Sequence, residues 1–195
     1  LKLLLVLLTS LLTAGFARAE QLTLTDIAAL KTNAPITQGS FQQTKQLKVL
    51  RKPLISNGEF TYDQSKGVIW KTLKPMKSLL LVNGSKLLTG QAQQAVPAAF
   101  CKVFTALLGN NIEQLQEGFE ASAMGPAARW RVQLIPKDAF LKKIITKMTL
   151  LGDTELRSLE IVEASGNSTQ IQFDNINHPL TLTPEQVADF ERLSP

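Results

Sequence analysis

Cysteine is nearly absent from this 195-residue chain: Cys101 stands alone, so no intramolecular disulfide can form and a disulfide-stapled scaffold is excluded. Histidine also occurs once, as His178, and without a second His or Cys near it the ligand set of a metal site is missing. No phosphate-cradling glycine loop is present; Gly39, Gly58, Gly67 and Gly84 fall at expected turns. The formal charge of +5 is a mild basic excess, with no dense Lys/Arg run and no aromatic interleaving, and gives poor support for nucleic-acid binding. Repeats, low-complexity stretches and linkers are lacking too.

What is there begins with Lys2, an apolar run and Ala17-Arg18-Ala19. A positive start, a short greasy core and a small-x-small site read as a secretory signal peptide over residues 1–19, cleaved before Glu20. Leu3 to Phe16 offers 14 uncharged residues, short of the ~20 that span a bilayer. Cleavage would leave residues 20–195 as one soluble domain and lower the formal charge to +3 by removing Lys2 and Arg18. An exported chain without bridges suits a bacterial periplasm.

The stretch from Ser56 to Asn83 organises the rest. Glu59-Phe60-Thr61-Tyr62 alternates at period two, which puts Phe60 and Tyr62 on one face; Val68 and Trp70 share a face after a polar turn; Leu79-Leu80-Leu81-Val82 follows the break at Lys74-Pro75. Gln38 to Leu50 and Lys86 to Leu88 are expected as further strands. From Pro97 the period changes: Phe100, Val103, Phe104, Leu107 and Leu108 recur at helical spacing up to Gly109, with Cys101 as a small buried hydrophobe among them. A short helix over Ile112 to Gln116 and strands from Phe119 come next. Arg129 to Ile135 is the cleanest alternation, with Trp130, Val132 and Leu134 on one side. One helical turn over Asp138 to Lys143 and strands over Ile144–Leu150, Leu156–Glu163 and Thr169–Asp174 complete a meander. Thr23 with Asp26, and Thr183-Pro184 with Gln186, are capping signatures for a first and a last helix. The fold class is α+β, an antiparallel sheet with helices.

The helices are too few for the strands: the first and the Pro97 helix would cover half of one face, and the last would dock at an edge. The sheet therefore curls either around its own side chains or around an apolar cavity.

Phe41-Gln42-Gln43, then Gly58-x-Phe60-x-Tyr62, Trp70, Pro75 and Leu81-Val82-Asn83-Gly84, after a signal peptide and a first helix, resemble the bacterial lipoprotein carriers of the LolA type. The resemblance implies an incomplete, half-open antiparallel β-barrel whose concave apolar side is lidded by helices and holds acyl chains of lipoproteins in transit across the periplasm. It implies a carrier or chaperone, not an enzyme, needing no cofactor and no metal, acting as a monomer in outer-membrane biogenesis. Its partners would be acylated protein or lipid cargo, an inner-membrane exporter and an outer-membrane acceptor. The lipid-binding wall would be Phe60, Tyr62, Trp70, Leu79, Leu81, Trp130, Val132 and Leu134, and the lid Phe100, Phe104 and Leu107.

One departure concerns the lid. Carriers of this type have an arginine, usually followed by proline, in the turn before the Trp strand; here Gln64 and Ser65 stand in those places, with Lys66 the nearest cation. A divergent relative with a different acylated cargo is the reading this suggests. Two alternatives come from the residues: an envelope binding module, accessory to a lipid exporter, with a packed core; and a hydrolase built on His178, Asp174 and a distant serine, for which no nucleophile elbow exists.

Overall fold

The computed structural model describes residues 22–30, 34–83, 86–89, 92–95, 103, 105–109 and 111–192. Six strands come first: β1 (Ile36–Gln46), β2 (Leu54–Asp63), β3 (Gly67–Lys74), β4 (Ser78–Asn83), β5 (Lys86–Thr89) and β6 (Ala92–Ala95). Five follow: β7 (Phe119–Met124), β8 (Trp130–Pro136), β9 (Ile145–Gly152), β10 (Leu156–Glu163) and β11 (Ser168–Asn177). They form one antiparallel sheet in the order β6-β5-β4-β3-β2-β1-β11-β10-β9-β8-β7. Each half is a meander of sequence neighbours, and the halves join where β1 pairs with β11, Phe41 opposite Phe173. β6 and β7 stand at the two edges, so the barrel is not closed.

The sheet is curved because one face serves a single core. An apolar cluster runs from Leu87 on β5 through Trp70, Phe60, Phe41 and Phe173 to Trp130 on β8 and Phe119 on β7. Burying such side chains contributes roughly 1.5–3 kcal/mol each, so the face closes inward as far as their volumes allow.

Helices α1 (Leu24–Ala29) and α2 (Ile112–Leu115), with helical residues 105–108, serve this concave side: Ile27, Leu107, Leu108 and Leu115 belong to the same cluster. The cap expected at Thr23 forms, with the Thr23 N–H donating to Asp26 Oδ2 at 2.8 Å and the Asp26 N–H to Thr23 Oγ1 at 3.2 Å. A single turn, α3 (Ala139–Lys142), begins at Asp138, whose Oδ1 accepts the N–H groups of Phe140 and Leu141.

The last helix, α4 (Pro184–Glu191), is not at an edge as expected from the sequence; it lies on the convex face across β3. The reason is a second apolar patch there. Ile69, Leu81 and Leu88 on neighbouring strands meet Phe190, with Leu79 and Leu182 beside them. Polar contacts fix the helix: Gln186 Nε2 donates to Thr61 Oγ1 at 2.9 Å, and Lys71 Nζ reaches Glu185 at 2.6 Å and Asp189 at 3.5 Å. The Glu185 bond raises the Lys71 pKa, against a smaller opposing effect of burial.

Candidate functional site

Cross-strand register builds the concave wall. Phe60 on β2 lies opposite Trp70 on β3, and Tyr62 opposite Val68, so the alternation read from the sequence places all four on one face. Phe41 from β1 stacks on Trp70, with centroids 3.7 Å apart and planes at 20°. It reaches Trp70 across Gly58, where a β-carbon would fall 2.9 Å from the Phe41 ring and 2.0 Å from the Lys71 carbonyl oxygen. Phe173 meets Phe60 and Trp70 edge-on, at 5.5 and 6.3 Å. Four rings from four strands thus fill the seam between the two halves, and edge-to-face and offset contacts of this kind contribute about 0.5–1.5 kcal/mol beyond area burial.

On the other half, Trp130, Val132 and Leu134 of β8 are at most 1 % exposed. The Trp130 indole N–H donates to the Asp153 carbonyl in the β9–β10 turn. Met148, Leu150, Leu159 and Ile171 continue the same cluster.

Six of the eight wall residues expected from the sequence are therefore brought together. Leu79 and Leu81 are not. Trp70 pairs with Leu80 and Val68 with Val82, so Leu80 and Val82 share the concave face while Leu79 and Leu81 point to the convex side under α4. Because strand side chains alternate, a shift of one position moves every residue to the other face. Of the lid residues, Leu107 is buried in the concave cluster, whereas Phe100 and Phe104, with Cys101, lie outside the described residues. Sequence reasoning missed Phe41, Leu80, Val82 and Phe173 as wall residues. Phe41 carried a signal, its opposition to polar Gln42 on an otherwise polar strand.

Lid and wall touch through a backbone. A β-carbon on Gly109, at the end of the helical residues 105–108, would lie 2.6 Å from Tyr62 Cζ and 2.8 Å from its hydroxyl oxygen. Only glycine lets the chain come that close to the ring. Burial, and then the neighbouring Asp63 charge, raise the Tyr62 pKa above its ordinary 10.0. Across the described residues the wall side chains are buried or half-buried, and Leu107 belongs to the same cluster.

The turn that holds Gln64 and Ser65 in place of an arginine is organised by Asp63. Its Oδ1 accepts from the Ser65 N–H at 2.8 Å, the Ser65 hydroxyl at 2.7 Å and the Lys66 N–H at 2.9 Å, while the Gln64 N–H donates to the Pro35 carbonyl at 2.9 Å. Ser65 and the Lys66 backbone are thus tied to Asp63 within the turn, and Gln64 ties the turn to Pro35 ahead of β1. His178 holds Glu155 through Nε2 at 2.7 Å and Thr37 through Nδ1 at 3.2 Å. Asp174 is not its partner, which removes the constellation considered for a hydrolase.

The model of the family described as outer membrane lipoprotein carrier protein LolA matches residues 32–187. The chain belongs to the LolA family. Its match takes in all eleven strands and the first half of α4. Among solved structures, a LolA-superfamily protein of Nitrosomonas europaea is similar at 8% identity and TM-score 0.46, over 85% of this chain and 97% of that one. A chain of the Pseudomonas aeruginosa MucA/MucB complex is similar at 13% identity and TM-score 0.42, over 83% of this chain and 57% of that one. No curated protein matches. Among the described residues no helix is long and apolar enough to cross a membrane.

Proposed function

We propose that this chain is a periplasmic, non-enzymatic carrier that takes up the acyl chains of lipoproteins, or of another lipid-like cargo, and moves them from an inner-membrane exporter towards an outer-membrane acceptor. On this reading residues 1–19 are the export signal and residues 20–195 the carrier domain. The observation that carries it is the way the lid meets the wall: Gly109 rests on the Tyr62 ring and Leu107 on the concave cluster, through apolar contact. A carrier must release what it binds, and a lid held by contact without direction opens at small cost. The cargo supplies the driving force. Each methylene removed from water contributes roughly 0.8 kcal/mol, enough for an acyl chain to replace Leu107 and its neighbours against the rings of Phe60 and Trp70.

The test is lipid extraction and native mass spectrometry of protein recovered from its own cell envelope, with binding of a fluorescent fatty-acyl probe to stripped protein. Bound acylated species, and probe binding reduced by Trp70→Arg in a folded variant, support the reading. Protein that is always empty and binds no probe overturns it.

The burial of the described wall residues favours one second reading, an envelope module accessory to a lipid exporter, with no cargo of its own. In that case Trp70→Arg and Trp130→Arg both unfold the chain, and no probe competes with the lid.

A further inference from the structure

Exposed hydrophobic side chains are distributed unevenly over this molecule. Because the strands alternate in direction, the β1–β2, β3–β4, β8–β9 and β10–β11 connections lie at one end of the sheet. That end carries Val49 at 88 % exposure and Met76 at 79 %, with Leu50, Leu54, Ile55 and Leu73 around them. Phe140 and Ile144, in and after α3, are exposed there as well. Of the large hydrophobics exposed among the described residues, only Met124 and Leu180 lie at the opposite end.

The same end is cationic. Lys48, Arg51 and Lys52 flank Val49 and Leu50, Lys74 and Lys77 flank Met76, and Lys142 and Lys143 precede Ile144. No acid interrupts residues 47–56 or 71–79. Of the acids at this end, Asp138 caps α3 and Glu163 pairs with Lys45 at 3.2 Å, while Glu117 and Glu120 are exposed beside the β8–β9 connection and are outnumbered by the cations. The tips are also held in place. The Lys48 N–H donates to Asn167 Oδ1 of the β10–β11 turn at 3.1 Å, and the Leu50 N–H to the Leu47 carbonyl at 3.0 Å.

Single exposed apolar residues need no explanation, but a contiguous set is costly in water and marks a contact surface. Apolar tips collared by Lys and Arg, contributed by three separate hairpins and not by one groove, match a flat partner with an apolar interior beneath anionic phosphates. We propose that this end of the sheet docks on a bilayer surface containing anionic phospholipid, with Val49 and Met76 entering the headgroup layer and the cations meeting the phosphates. The docking surface does not depend on what the concave side holds.

The test is flotation of the full chain with phosphatidylcholine vesicles, with and without phosphatidylglycerol. The protein is expected to float with the anionic vesicles and not the neutral ones, and to be released as salt screens the charges. Lys52→Glu with Lys77→Glu should lower partitioning on the order of five-fold or more per cation removed. Val49→Ser with Met76→Ser should lower it several-fold with the charges intact; both positions are exposed, and unchanged thermal unfolding will show that the variants fold. Residues 1–21 are common to all variants, so any contribution from them cancels. Failure to float with anionic vesicles at low salt, or variants that float like the parent, would overturn the proposal.

Discussion

Gly109 and Tyr62 meet backbone to ring, and no side chain can be added at Gly109 without moving one of them. Gly109→Ala is therefore expected to destabilise the domain by about 1–3 kcal/mol through overpacking. Combining it with Tyr62→Ala should recover part of that loss, a coupling on the order of 1 kcal/mol. Urea unfolding of the four proteins measures it, and strict additivity would refute the contact.

Tyr62 is the only tyrosine, so its titration can be followed by phenolate absorbance without interference. Burial first, and the Asp63 charge second, raise its pKa, and the midpoint should lie above 10.0. The neutral phenol is favoured in the folded chain. Its contribution to stability is complete below the unfolded value and disappears as pH climbs through the folded one. Asp63→Asn should lower the midpoint part of the way, and Gly109 variants that lift the lid should lower it further.

The two faces of β4 can be told apart by substitution. Leu81→Ala removes a fully buried side chain beneath α4 and is expected to cost about 2–5 kcal/mol. Hydrogen exchange should then quicken along residues 184–191 before it does elsewhere. Val82→Ala, one position on, should leave α4 protected and alter binding of an acyl probe.

Acid stability should rest in part on the β10–β11 turn. Burial alone would raise the Glu163 carboxyl, but Asn167, Lys45 and Ser165 together bring it below its ordinary value. Its contribution is present above the unfolded carboxylate range and is lost as pH falls through the lowered folded value. Glu163→Gln should flatten the stability profile below about pH 5, where acid unfolding otherwise begins. An unchanged slope would count against this role.

Much of this architecture could be read from the chain because it was written in alternation and in caps. Trp130, Val132 and Leu134 alternate with polar neighbours, and the Thr23 and Thr183 caps form where their residues stand. Leu79 to Val82 could not be read in the same way. Both faces of β4 are covered, one by the wall and one by α4, so the run is apolar throughout and its parity carries no signal. The strand Ala92–Ala95 carried no signal either: its residues are small or amides, and it joins the sheet through backbone pairing with β5. Phe173 was beyond reach for another reason: its partnership with Phe41 depends on a seam between strands at opposite ends of the sequence.

That seam leaves β6 and β7 as the free margins, and the segment between them, residues 96–118, is the same stretch of polypeptide that supplies Leu107, Gly109 and Leu115 to the roof. Roof and margins are thus one continuous tether. A change in the spacing of the two margins is carried, through the chain itself, to Leu107, Gly109 and Leu115.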